Sequence, residues 1–251
     1  GIVGINHGTL INCQFTGVVT GDSEVGGIVG RNESEGTIDH STARAIVTGK
    51  SSTGGIAGYN LGAITGCTNV GSINTEYQEA SLDTDGFTAK MVDQINNKMA
   101  AADDDATNSV TNVATDTGGI AGRSSGMILT SVNTGTVGYE HVGYNVGGIV
   151  GRTDGLVSGC VNQGHVLGRK DVGGIAGQAD SATIEACANY ATVTGTRQNV
   201  GGIVGRLNGK SAARSTVLRC ANFGTISNGT NNFSAGIVGT AYYTTLSECY
   251  N

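Results

Sequence analysis

GGIVGRTDGLVSGCVNQGHV, from Gly147 to Val166, decides how the whole chain is read. Its core, Gly-Ile-Val/Ala-Gly, occurs eight times, beginning at Gly1, Gly27, Gly55, Gly119, Gly148, Gly174, Gly202 and Gly236. Gly27 through Gly202 each follow a further glycine, and Ala235 takes that place in the last copy. The interval is 26–29 residues, broken by two longer gaps. Self-similarity at such a period marks stacked units, each too short to bury a face alone, rather than one globular core.

The second half of each unit is as regular as the first. A small slot follows the Ile, filled by Cys13, Cys67, Cys160, Cys187, Cys220 and Cys249, and by Ser41 and Ser131 in the remaining copies. Two residues on stands Asn69, Asn133, Asn162, Asn189, Asn222 or Asn251, and then a β-branched residue, as at Ile73, Val137, Val166, Val193 and Ile226. The apolar residues alternate in short runs, which is strand periodicity, and no helical spacing appears inside the units. The repeat predicts an all-β fold: a parallel β-helix, or β-solenoid, of about eight coils with three short strands each, expected to be right-handed. Like residues then lie above like, about 4.8 Å apart. The Ile column points inward and the Val/Ala column is less constrained. Glycines and asparagines mark corners that need positive φ.

The pattern resembles the Glug motif, a repeat of bacterial surface proteins. GGIAGYNLGAITGCTNVGSI (Gly54 to Ile73) and the Gly147–Val166 copy carry it most clearly. Glug repeats occur in large adhesin-like exoproteins and in non-catalytic parts of proteins similar to IgA1-cleaving metallopeptidases. The resemblance implies an extracellular or cell-surface location in a bacterium.

Composition narrows the function. Glycine accounts for 43 of 251 residues and proline for none, as suits a backbone whose N–H groups nearly all enter ladders. The net charge is −6 with 14% charged residues, the wrong sign for a nucleic-acid binder. No apolar run is long enough to span a membrane. The chain opens and closes inside repeats, so it is read as one solenoid domain over 1–251, taken from a longer protein.

One long departure, 74–117, sits within the third coil. Phe87, Met91, Ile95 and Met99 predict a short helix from Thr88 to Ala102. The next coil makes its own excursion at the same corner, from Gly138 to Asn145, and insertions of a solenoid collect on one side. Tyr139, His141 and Tyr144 are therefore candidate ligand-binding residues. Arg123 and Arg152 join them, one coil apart in the column that follows each Gly-Ile-x-Gly. Two like charges so placed need carboxylates such as Asp154 or Asp180, or an anionic ligand.

The cysteines and asparagines are expected to be structural ladders: free thiols acting as small apolar groups, because parallel Cβ vectors suit disulfides poorly, and stacked amides at a corner. No catalytic residue, metal ligand or cofactor is nominated. The histidines lack metal-site spacing, and the acidic residues do not align in adjacent coils as a lyase or hydrolase groove requires. The expected function is a non-catalytic structural or adhesion module, monomeric in isolation, whose partner is a host glycan or host protein. The alternatives are an accessory, substrate-positioning domain of an IgA1-protease-like metallopeptidase and a polysaccharide lyase or hydrolase.

Overall fold

The structure, a computed structural model, describes residues 1–75, 114–139, 143–228 and 233–251. Among them every regular element is a strand. The predicted helix, Thr88–Ala102, lies outside the described residues.

The coil containing the Gly147–Val166 copy shows the plan. Tyr144–Gly147 belongs to sheet D, Val150–Thr153 to sheet A, Leu156–Ser158 to sheet B and Val161–Asn162 to sheet C. A fifth strand, Val166–Gly168, belongs to a three-stranded sheet E. Each coil therefore carries four or five short strands rather than three. The extra corners come from the close approach of sheets D and A, described below.

Every strand pairs in parallel with its equivalent one coil away. In sheet A the register runs Val3, Val29, Ala57, Ala121, Val150, Ala176, Val204, Val238. Sheets A and B are each eight strands deep, while sheet D has seven. Eight levels are joined by seven steps, so the stack makes about seven turns. That is one fewer than read from the motif count, because the first and last copies each supply part of a coil.

Two apolar cores run along the axis. The larger holds the Ile of the motif (Ile28, Ile56, Ile120, Ile149, Ile175, Ile203), the sheet B column (Ile38, Ile64, Ile128, Val157, Ile184, Val217) and the buried thiols. The Val/Ala column is fully buried there too, as at Val29, Ala57 and Val150. It is a core column whose size varies, not the less constrained position expected. The smaller core joins sheet D to the β-branched residues after the asparagines: Val146, Val172 and Val200 against Ile73, Val137, Val166 and Val193.

Between the cores the coil narrows to a waist, and the glycines make it possible. A Cβ on Gly118 or Gly147 would lie 2.0 Å from the carbonyl oxygen of Ala121 or Val150. On Gly148 it would lie 2.1 Å from the Gly174 oxygen and 2.3 Å from Asn162 Cγ. None of these glycines has positive φ. The repeat demands glycine for space, which corrects the expectation that they are turn residues. The left-handed corners lie elsewhere. Asn12, His40, Gly66, Thr130, Gly159, Ala186, Arg219 and Glu248 all have φ between 44° and 64°. Each immediately precedes the Cys/Ser slot, and glycine takes the position in only two coils.

Candidate functional site

The asparagine column stands at the waist, each amide packed against the second glycine of its own coil's motif, as Asn162 is against Gly148. Each side-chain amide donates to the next along the axis: Asn69 to Asn133, Asn133 to Asn162, Asn162 to Asn189, Asn189 to Asn222 and Asn222 to Asn251, all at 2.8 Å. Asn133 also donates to the Gly135 carbonyl at 2.8 Å and accepts the Gly135 N–H at 3.2 Å. Both donors and both acceptor positions of that amide are used, so the buried polar group costs little. The two signatures of the repeat, Gly-Gly and Cys-x-Asn, thus meet across the coil.

A second amide ladder was not singled out in the sequence. Asn6 donates to Asn32 and Asn32 to Asn60, each at 2.8 Å, and Asn60 to the Ser124 hydroxyl at 3.0 Å. Its signal was present, two residues after the final glycine of the motif: Asn6, Asn32, Asn60, Ser124, Thr153. Ala179 and Leu207 replace it in later coils, which hid the column.

The six cysteines are free. Cys67, Cys160, Cys187 and Cys220 are buried, while Cys13 and Cys249, at the ends, are partly exposed. The single Cys160 S–H is shared between the Ser158 carbonyl at 3.4 Å and the Ile128 carbonyl of the neighbouring coil at 3.5 Å. Cys67, Cys187, Cys220 and Cys249 repeat that pattern. Burial pushes the Cys67 thiol up to about 11. Thiol–thiol hydrogen bonds, then burial, raise Cys187 and Cys220 further. Such thiols are poor nucleophiles.

A third polar column lies on sheet D at left-handed backbone: Glu24, Ser52, Asp116, Asn145, Asp171, Asn199. Asn145 donates to Asp116 at 2.7 Å, and Asn199 donates to Asp171 at 2.5 Å. Burial raises both carboxyls above their ordinary range, and the amide hydrogen bonds and nearby cations offset this only in part.

Arg123 and Arg152 are direct register partners on the outer face of sheet A, in the column Ile5, Arg31, Tyr59, Arg123, Arg152, Gln178, Arg206, Thr240. Their repulsion is relieved in two ways. Asp180 accepts from Arg152 Nε and Nη2, each at 2.9 Å, and also from Gln178 and Asn208. Burial alone would raise the Asp180 carboxyl, but these donors and the Arg152 charge hold it below its usual value. Arg123 lies over the Tyr59 ring, 5.3 Å from its centroid, with Arg31 on that ring at 5.0 Å.

Tyr139 and Tyr144 are not on that face. Tyr144 belongs to sheet D, between Thr115 and Lys170, and Tyr139 is 39% exposed beside it at the corner. His141 lies outside the described residues. The flanks of the two excursions are bonded together. Gly138 N–H donates to the Ile73 carbonyl at 2.8 Å, and Tyr144 N–H donates to the Ala114 carbonyl at 3.0 Å. Arg169, 3% exposed, is the functional-type residue at this corner that sequence reasoning missed. Burial lowers its pKa, and the neighbouring Arg197 charge lowers it further.

Tyr190, Phe223 and Tyr250 form an exposed aromatic stack, with centroids 5.0 and 5.9 Å apart. Tyr190 and Phe223 are within 15° of parallel, so one face of each covers the other, and all three residues are more than half exposed. Among the described residues no three His, Cys, Asp or Glu side chains are grouped to hold a metal, and no helix is long and apolar enough to cross a membrane.

Residues 21–48 match the family described as the GLUG motif. No curated protein matches the chain. Among solved structures, the chain is similar to a "putative immunoglobulin A1 protease" from Bacteroides ovatus, with 16% identity and a TM-score of 0.46. The similarity covers 96% of this chain and 57% of that one, so the chain spans little more than half the length of the protein it resembles.

Proposed function

We infer that this Glug-motif solenoid is a non-catalytic structural module of a secreted or cell-surface bacterial protein: a stalk that holds one loop-bearing corner toward a host glycan or host protein. The observation that carries the reading is that the long interruption and two further excursions leave at one corner of the stack, while a shorter one, 209–214, leaves between sheets A and B. The interruption after Asn74, the excursion after Tyr139 and the one after Asn228 all leave between the sheet E column and sheet D. Elsewhere the ladders satisfy one another, and a coil so filled supports the corner.

The test is binding of the purified chain to mucin-coated surfaces and to an array of host glycans, with Tyr139→Ala/Tyr144→Ala as the variant. The expected result is lost binding with an unchanged thermal melt, because both side chains reach solvent at the corner rather than either core. Unchanged binding by the variant, or none by the native chain, contradicts the reading.

A further inference from the structure

We propose that the outer face of sheet A, from Tyr59 to Arg206, binds a linear polysaccharide bearing carboxylate or sulfate groups, laid along the solenoid axis. This face is separate from the loop-bearing corner, and the inference does not depend on that corner's role.

The argument starts from a comparison within the repeat. Each column arginine is flanked by two slots: one seven residues earlier on sheet D, the other two residues later in the turn. Around Arg31 both slots are acidic, and Glu24 and Glu33 pair with it at 2.8 and 2.7 Å. Around Arg206 the same slots hold the neutral amides Asn199 and Asn208. Arg206 Nε donates to Asn208 Oδ1 at 3.3 Å, and no carboxylate pairs with it among the described residues. Around Arg123 the slots are Asp116 and Ser125. Asp116 is buried and engaged by Asn145, and it makes no ion pair with Arg123. The architecture can therefore neutralise a column arginine, and it leaves two of them with charge unspent.

The placement of those two suits a polymer. Arg123, Arg152, Gln178 and Arg206 are successive register partners, so the two unpaired guanidiniums stand three strand spacings apart, about 14 Å. Arg152 and Gln178 lie between them, tied to Asp180, and present polar edges rather than a second strong charge. Tyr59 holds Arg123 over its ring, which restricts the guanidinium before any ligand arrives. Two anionic groups on one extended chain can engage Arg123 and Arg206 together, each by a charge-assisted and geometrically specific pair. The second contact gains from the first through effective concentration. The chain's overall charge of −6 keeps the rest of the surface unattractive to polyanions.

The experiment is titration calorimetry in low salt with three probes: polygalacturonate (carboxylate only), dextran sulfate (sulfate only) and neutral dextran. Binding to at least one anionic polymer and none to dextran is expected, with the two anionic arms distinguishing the group preferred. Arg123→Gln and Arg206→Gln should each weaken binding about 10-fold, and the pair by more than either alone. Arg123→Lys, which keeps charge but not the fork, should fall between. Arg44→Gln, on the exposed face of sheet C, should change nothing. The proposal is overturned if neither anionic polymer binds, if the double glutamine variant binds as the native chain does with an unchanged melt, or if single-stranded poly(dT) binds equally well.

Discussion

Asn162 illustrates how much one side chain holds in this fold. Its amide links Asn133 to Asn189 and closes the turn at Gly164. Asn162→Ala leaves buried donors and acceptors unpaired on both neighbours, and should cost about 3 kcal/mol or more in a denaturant titration. Cys160→Ser, in the adjacent slot, should cost under about 1 kcal/mol, because Ser131 already fills that slot and donates to Leu129 as the thiols do to their own carbonyls. At pH 8 the buried thiols of Cys67, Cys160, Cys187 and Cys220 should resist alkylation in the native protein, with Cys13 and Cys249 reacting first. Equal rates for all six would contradict the ladder. The buried carboxyls give a pH prediction. Asp116 and Asp171 have folded-state pKa values raised by burial. The folded state therefore binds these protons more tightly, and stability falls as pH rises from the ordinary carboxylate value, about 3.9, through the folded values. The cost is fully present above the folded values. Asp116→Asn and Asp171→Asn, which copy Asn145 and Asn199 in the same column, should each stabilise by about 1 kcal/mol at pH 7 and flatten that slope. A loss of stability at pH 7 would show that the charge is held favourably after all.

At the scale of the element, the corners decide which strands form. The corner before the Cys/Ser slot is left-handed in every coil, yet Thr130, a β-branched residue, occupies one of them at φ 44°. Gly66 and Gly159 show what the position accommodates without strain. Thr130→Gly should stabilise the protein by about 1 kcal/mol, read as a raised denaturation midpoint. These corners mark where the sequence could not be read. Arg219, Glu248 and Ala186 carry no turn signature, and their backbone is imposed by the ladders above and below. The columns themselves were legible, because stacking forces equivalent positions to solve the same problem: Cys or Ser in one slot, Asn two residues on. What each glycine does was not legible. Crowding by a carbonyl across the coil and tolerance of positive φ select the same residue, and only the closeness of Gly148 to Asn162 separates them. The strands of sheets D and E do carry an apolar signature, Val146, Val172 and Val200 before the glycines and Val166 and Val193 after the asparagines, but nothing in it shows that a glycine-lined waist divides the coil into two cores.

For the whole molecule, register is the unit of stability. Each coil contacts its neighbours through sheets, amide ladder and two cores at once, so a lesson learned at Asn162 applies along the stack. The outward face was half legible. The Arg123–Arg152 repulsion was visible as a column, and Asp180 as its relief, but the Tyr59 contact depended on knowing that the coil before the long interruption sits directly beneath Arg123. The account's central claim, that coils stack in register through the waist amides, is tested most directly by through-hydrogen-bond NMR couplings in a deuterated, isotope-labelled sample. The predicted result is one chain of correlations from each side-chain Nδ2 to the next Cγ, running Asn69, Asn133, Asn162, Asn189, Asn222, Asn251. Correlations that pair these asparagines in any other order, or amides that exchange freely with water, would contradict it.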